Sequence, residues 1–213
     1  MTKKTIAFSL WGENLKYTIG AIRNAELAKN IFPEWECHFY CGHDVPLDIL
    51  NQLSDLNAHI IEMDGTSWNG MFWRFFAADG DDIMISRDTD SRLSVREKVA
   101  VDEWVQSNKD FHIMRDHPYH ATEILGGMWG AKNGILKGIK EMIHGYDKGE
   151  FDNKWQVDQN FLREVIYPIV KDKSMVHDEF FTRDKPFPRN APPRTSEYFI
   201  GQAYSHLDEP EFK

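Results

Sequence analysis

The chain has 213 residues, 41% of them hydrophobic and 13% aromatic, which is enough for one well-packed core with at most a short appendage. Its formal net charge is −9. That balance argues against nucleic acid or an anionic membrane surface as partner, since both need clustered Lys and Arg. A nucleotide stays possible, because a bound metal reverses the local field.

Lys3-Lys4 precedes an apolar run of only residues 6–10, too short for a signal-peptide core or a membrane span. Residues 5–10 read as a buried first strand and 11–14 as a turn. Ile19, Ile22, Leu27 and Ile31 recur at roughly helical spacing over 17–31, and Pro33 stops that helix. A second strand is expected over 36–41, a short helix over 46–53 and a third strand over 59–62. Residues 71–78 are apolar and aromatic at helical spacing. A fourth strand follows over 82–86, a helix over 95–107 and a fifth strand over 111–115. Alternating strand and helix implies an α/β chain with a mainly parallel sheet covered by helices on both faces. Such sheets bind ligands beyond the carboxyl ends of their strands.

The second half is less regular. Residues 125–130 suit a short strand or a tight loop, 135–143 and 157–165 are helical, and 174–177 form a last strand. From Thr182 onward, Pro186, Pro188, Pro192 and Pro193 indicate an extended tail or linker. The expected division is a domain over 1–181 and a peripheral tail over 182–213 that adds little to the core. The end shortly after Pro210 suggests a truncated chain or a link to further domains on the C-terminal side. Cys37 and Cys41 have no second pair and the wrong spacing for a zinc knuckle. On one face of the second strand they read as buried thiols and point to a reducing, cytoplasmic compartment.

The sharpest motif is Asp88-Thr89-Asp90, directly after the apolar run Ile83-Met84-Ile85-Ser86 and Arg87. Two carboxylates just past a strand end project into the ligand crevice. A hard divalent cation takes oxygen ligands and completes its shell with water and phosphate oxygens. A sugar diphosphate bridging that cation gains a Lewis acid on its leaving group. Asp-x-Asp also occurs in turns, where Asp bonds nearby backbone N–H groups. Dehalogenase-type phosphatases carry a D-x-D too, but on their first strand and with Thr or Val where this chain has Arg92. There is no G-x-G-x-x-G or Walker pattern.

Several strings come in a telling order: Phe8-Ser9-Leu10-Trp11-Gly12, Gly70-Met71-Phe72-Trp73-Arg74-Phe75, Ser86-Arg87-Asp88-Thr89-Asp90-Ser91-Arg92, Met114-Arg115-Asp116-His117-Pro118, Leu125-Gly126-Gly127-Met128-Trp129-Gly130, Val157-Asp158-Gln159 and Val176-His177-Asp178. Together they resemble a viral and bacterial family of small GT-A glycosyltransferases, including the N-terminal glycosyltransferase domain of a multidomain chlorella-virus protein. The resemblance covers residues 5–181.

That resemblance implies a GT-A (nucleotide-diphospho-sugar transferase) fold and transfer of a hexose from a UDP-sugar, such as UDP-glucose or UDP-rhamnose, to a glycan acceptor. It also implies Mn2+ or Mg2+, a part in viral glycan synthesis and, for a viral protein, the host cytoplasm. Asp90 would be the most direct metal ligand, Asp88 would touch the metal or the ribose, and His177 would be a third ligand from a late strand. The nucleotide would lie along Ser9, Leu10, Trp11 and Tyr17, with Arg74, Asp79, Thr89 and Gly127 (beside Gly126) as further contacts. Asp158 and Gln159 would flank the anomeric carbon, with Asp116 and His117 nearby.

Asp-Gln pairs of this kind line the sugar pocket of retaining hexosyltransferases. An inverting reaction would need a carboxylate base, for which Asp116 or Asp158 could serve. A non-catalytic nucleotide-sugar or carbohydrate-binding module would use the seven tryptophans and need no metal carboxylates.

Overall fold

The computed structural model describes residues 2–65, 69–146, 156–181 and 185–212. Strand β1 (Lys4–Leu10) alternates sharply. Ile6, Phe8 and Leu10 enter one core, while Ala7 faces the other. Helix α1 (Leu15–Ile31) starts where the Asn14 side chain accepts from the Lys16 N–H, and it ends at Phe32, one residue before Pro33. Its buried face carries Gly20, Ala21, Asn24, Ala25 and Ala28, small enough to bring the helix close to its neighbours.

Strand β2 (Glu36–Gly42), helix α2 (Leu47–Asp55) and strand β3 (His59–Met63) follow as expected. Helix α3 (Gly70–Trp73) runs straight into a 3-10 turn over Arg74–Asp79. Then come β4 (Ile83–Ser86), α4 (Val95–Gln106), β5 (Phe111–Arg115), β6 (Trp129–Ala131), α5 (Ile139–Tyr146), α6 (Val157–Phe161), α7 (Tyr167–Val170) and β7 (Ser174–Asp178). A capping box of Ser94 and Glu97 opens α4, and the buried Lys132 ammonium closes it by donating to the carbonyls of Trp104, Val105 and Ser107.

The strands make one seven-stranded sheet in the order β3-β2-β1-β4-β6-β5-β7. Among the described residues, only β6 runs antiparallel, between β4 and β5. One core lies under α1, α2 and α4, with Phe8, Phe39 and Trp104 at its centre. The other lies under α3, α5, α6 and α7, with Phe75, Trp129 and Phe161. Each such fully buried side chain contributes about 1.5–3 kcal/mol.

Three expectations need correction. The helix expected over 135–143 begins only at Ile139, because Asn133, Gly134 and Gly138 all take positive φ and shape turns first. The helix expected over 157–165 starts at Val157 but widens into a π turn over Leu162–Ile166.

The tail is irregular, as its prolines dictate, yet it packs on the body. Phe187 and Ile200 are buried with Ala100, Met114 and Met128. The Arg96 guanidinium donates to the Pro192 carbonyl, and the Tyr204 N–H donates to the Asp90 carbonyl. Apolar residues spaced between the prolines, not the prolines themselves, decide this packing. Residues 182–184, at the head of the expected tail, lie outside the described residues.

Candidate active site

The D-x-D loop begins where β4 ends. Ser86 donates to the Gly126 carbonyl at 2.8 Å. Arg87 turns inward, donating to Glu97 at 2.6 Å and to the Ser86 carbonyl at 2.7 Å. Side chains alternate along the extended backbone, so Asp88 faces the opposite way, toward the crevice.

The loop is then folded over buried Asn24. Its amide donates to the carbonyls of Gly20 (3.0 Å), Thr89 (3.2 Å) and Ser91 (2.8 Å), and its oxygen accepts the Leu93 N–H at 3.0 Å. Ser91 closes the turn with its N–H and hydroxyl on the Asp88 carbonyl. A side chain at Gly20 would collide with the Thr89 carbonyl, and one at Gly127 with the Asp88 carboxylate. Both glycines are therefore required by close approach.

Beside this loop lies a cavity of about 650 Å³, within the range of small-molecule sites. Its lining includes Ser9, Trp11, Tyr17, Met71, Arg74, the three D-x-D residues, Gln156, Asp158 and Gln159. Trp11 is held edge-on to Trp73, with ring centroids 6.2 Å apart, and Gly70 lets its ring pass. A cavity of about 730 Å³ between α1, α4 and the tail is larger, but it lacks the D-x-D carboxylates.

Arg74 joins the two sides. Its guanidinium lies 3.0 Å from Asp88 and 3.2 Å from Asp158, and its backbone N–H donates to the Ser9 hydroxyl at 2.9 Å. The Arg74 side chain is only 7% exposed, so it would be costly there without these carboxylates. Its Nε has no partner among the described residues.

Asp90 is paired at 3.0 Å with Lys16. Burial first, and the Asp88 charge second, raise its carboxyl above the usual carboxylate range, against Lys16 and Arg74. Burial likewise raises Asp158, with Arg74 opposing.

Asp88 and Asp90 together suit a hard divalent cation. Burial and the Asp88 charge leave Asp90 reluctant to ionise, and a cation shared by the two carboxylates offsets both. Both line the cavity, where further positions can go to water or phosphate oxygens. No third His, Cys, Asp or Glu lies close enough to complete a set with them among the described residues.

Ser9, Trp11, Tyr17, Arg74, Asp88, Thr89, Asp90, Asp158 and Gln159 all border the cavity. Gly127 lies behind Asp88, and its neighbour Gly126 reaches the cavity wall. The other expected residues stand apart. His177 is fully buried, with Nδ1 2.8 Å from His112 and Nε2 2.8 Å from Glu103, so both ring nitrogens are engaged away from the D-x-D loop. Asp116 is fully buried, takes two hydrogen bonds from Arg96 and accepts the Ile200 N–H. It is a structural anchor for the tail. Asp79 accepts the Gly138 N–H and does not line the cavity. Leu10 packs its side chain in the core under α1. His117 stacks on Phe199 at 4.2 Å.

Sequence reasoning missed Asn24, Lys16, Gln156 and His120. Asn24 reads as one more polar residue in an amphipathic helix, and nothing local marks it. Gln156 carries a signal only in its backbone, a positive φ of 63° just before α6.

No protein-family model and no curated protein matches the sequence. Solved structures share its architecture. Glucosyl-3-phosphoglycerate synthase from M. tuberculosis aligns over 82% of this chain and 69% of its own, with a TM-score of 0.53 at 11% identity. The same enzyme in complex with Mn2+, UDP-glucose and phosphoglyceric acid gives a TM-score of 0.52 at 12% identity over 82% and 69% of the two chains. A glycosyltransferase involved in the glycosylation of the major capsid of PBCV-1 aligns over 83% and 81%, at 14% identity and a TM-score of 0.49. What is shared at these identities is the fold. The mixed, mainly parallel sheet flanked by helices is the GT-A arrangement the sequence led us to expect.

Proposed function

We propose that this chain is a metal-dependent glycosyltransferase that moves a hexose from a UDP-sugar, of the UDP-glucose or UDP-rhamnose type, to a glycan acceptor. The observation behind this reading is the position of Asp88 and Asp90. They stand at the carboxyl end of β4, beside a cavity of small-molecule size, in a GT-A fold. The neighbour that holds Mn2+ and UDP-glucose supports the choice of ion and donor.

Asp90, with Asp88, would hold Mn2+ or Mg2+. The ion when bound supplies a Lewis acid to the diphosphate. A diphosphate brought against Asp88, Asp90 and Asp158 without added positive charge would be repelled. Arg74 and Lys16 together do not offset three carboxylates and a diphosphate.

Ser9, Trp11 and Tyr17 would flank the nucleotide, and Asp158 and Gln159 the sugar. Asp116 is locked by Arg96, which counts against it as the base. Arg74 opposes the burial that raises Asp158 and so favours its charged form. A carboxylate fixed in this way would stabilise positive charge that develops at the anomeric carbon, which favours retention.

The test is release of UDP from UDP-glucose with no acceptor present. Release that depends on manganese and falls at least tenfold in Asp158→Asn supports the proposal. Donor binding with no turnover would indicate a binding module, and phosphate release from simple esters a phosphatase.

A further inference from the structure

At the other end of the sheet, two imidazoles converge on one carboxylate. His38 on β2 and His59 on β3 are register partners of parallel strands, so their side chains share a face. Glu36 lies two residues before His38 and shares it too. His38 Nε2 is 3.5 Å, and His59 Nε2 3.7 Å, from the same Glu36 oxygen. One ligand atom from each residue falls within 4.8 Å of the others. Neither contact is short enough for a good hydrogen bond.

We propose that Glu36, His38 and His59 form a second metal site, separate from the D-x-D pair, which takes a borderline divalent cation such as Zn2+ and ties edge strand β3 to β2.

Zinc bonds to His nitrogen and carboxylate oxygen measure about 2.0–2.2 Å, which puts tetrahedral ligands about 3.4 Å apart. The two contacts to Glu36, at 3.5 and 3.7 Å, need to close by only a few tenths of an ångström to meet that, and the two imidazole nitrogens lie no more than 4.8 Å apart. The backbone register already sets the two rings on one face, so little ordering is left for the ion to impose. The side chains of Glu36 and His59 are 46% and 56% exposed, so water has access to a fourth position.

Two imidazoles with one carboxylate favour zinc, nickel or copper over magnesium. The site lies where β2 and β3 begin, whereas the candidate active site lies where the strands end. Strand β3 is the outermost strand of the sheet. Such edges gain from added fastening.

The test uses untagged protein at pH 7.5, with calorimetry and thermal melts in ZnCl2 and in MgCl2. At a hundredfold excess over Kd, zinc should raise the Tm by about 5–10 °C, and a chelator should reverse the shift. The shift should persist in Asp90→Ala and disappear in both His59→Ala and Glu36→Gln. Both substitutions fall on exposed side chains, and their metal-free melts should match wild type. The proposal is overturned if calorimetry detects no zinc binding. It is equally overturned if the shift survives both substitutions, or disappears in Asp90→Ala instead.

Discussion

The Lys16 ammonium stands 3.0 Å from an Asp90 carboxylate oxygen. It also reaches Glu211 at 2.8 Å, so one side chain links the D-x-D loop to the end of the tail. A cation arriving at Asp90 must compete with that lysine. Replacing it by Met removes the competitor and keeps the aliphatic stem. Lys16→Met should bind manganese about fivefold more tightly at low ionic strength, on the scale of a partly exposed ion pair worth about 1 kcal/mol. Calorimetry without nucleotide reads this directly, and an unchanged or weaker affinity would speak against Asp90 as a ligand.

Asn24 shapes the same loop without touching the cavity. Its amide group meets four backbone partners across α1 and the D-x-D loop. Asn24→Ala leaves the buried Leu93 N–H without its acceptor and takes one donor from the Gly20, Thr89 and Ser91 carbonyls, the last two of which keep Arg92. That should cost about 1–3 kcal/mol. Manganese affinity should fall as well, although residue 24 makes no contact with the cation. A variant with normal stability and normal affinity would show that the loop holds its shape by other means.

Ending the chain at residue 181 would remove Phe187 and Ile200 from their core and take the Ile200 N–H from Asp116. Two buried side chains alone contribute about 3–6 kcal/mol, a large part of a typical total of about 5–15 kcal/mol. The shortened chain should melt far below wild type or without a cooperative transition. A Tm within a few degrees of wild type would make the tail the dispensable arm that its prolines suggest.

Much of this was legible before any coordinates. The strand–helix alternation up to residue 115 follows from local periodicity, and the D-x-D pair stands out because an apolar strand leads into it. Asp116 and His177 were misplaced for one shared reason. Their positions after strands resemble ligand positions, but side-chain direction depends on partners far away in sequence. Arg96 captures Asp116, while His112 and Glu103 capture His177. Asn24 was invisible because its partners in the D-x-D loop lie 65 and more residues along the chain.

The His112–His177 pair also sets a pH dependence. Burial lowers the pKa of His112 well below the ordinary value, and it lowers that of His177 as well despite Glu103. In the unfolded chain both titrate near about 6.5. The folded state thus binds fewer protons as pH falls below that value. Stability is therefore full above it and declines as pH drops toward the folded pKa values. Urea midpoints should fall between pH 7.5 and pH 5.0, and His112→Phe, which keeps a ring against Trp104, should flatten the slope. Equal slopes in the two proteins would remove these histidines from the account.

The central claim is that Asp90 joins a divalent cation to a nucleotide-sugar. Asp90 is destabilised where it stands by burial and by Asp88, so Asp90→Ala should fold with a metal-free Tm at or above wild type. The decisive measurement is calorimetric titration of UDP-glucose into both proteins, with manganese and with chelator. Wild type should bind only with manganese, and Asp90→Ala should lose at least a hundredfold in affinity under the same conditions. Equal binding of UDP-glucose in chelator, or by Asp90→Ala, would contradict the claim and leave Asp88-Thr89-Asp90 as a turn.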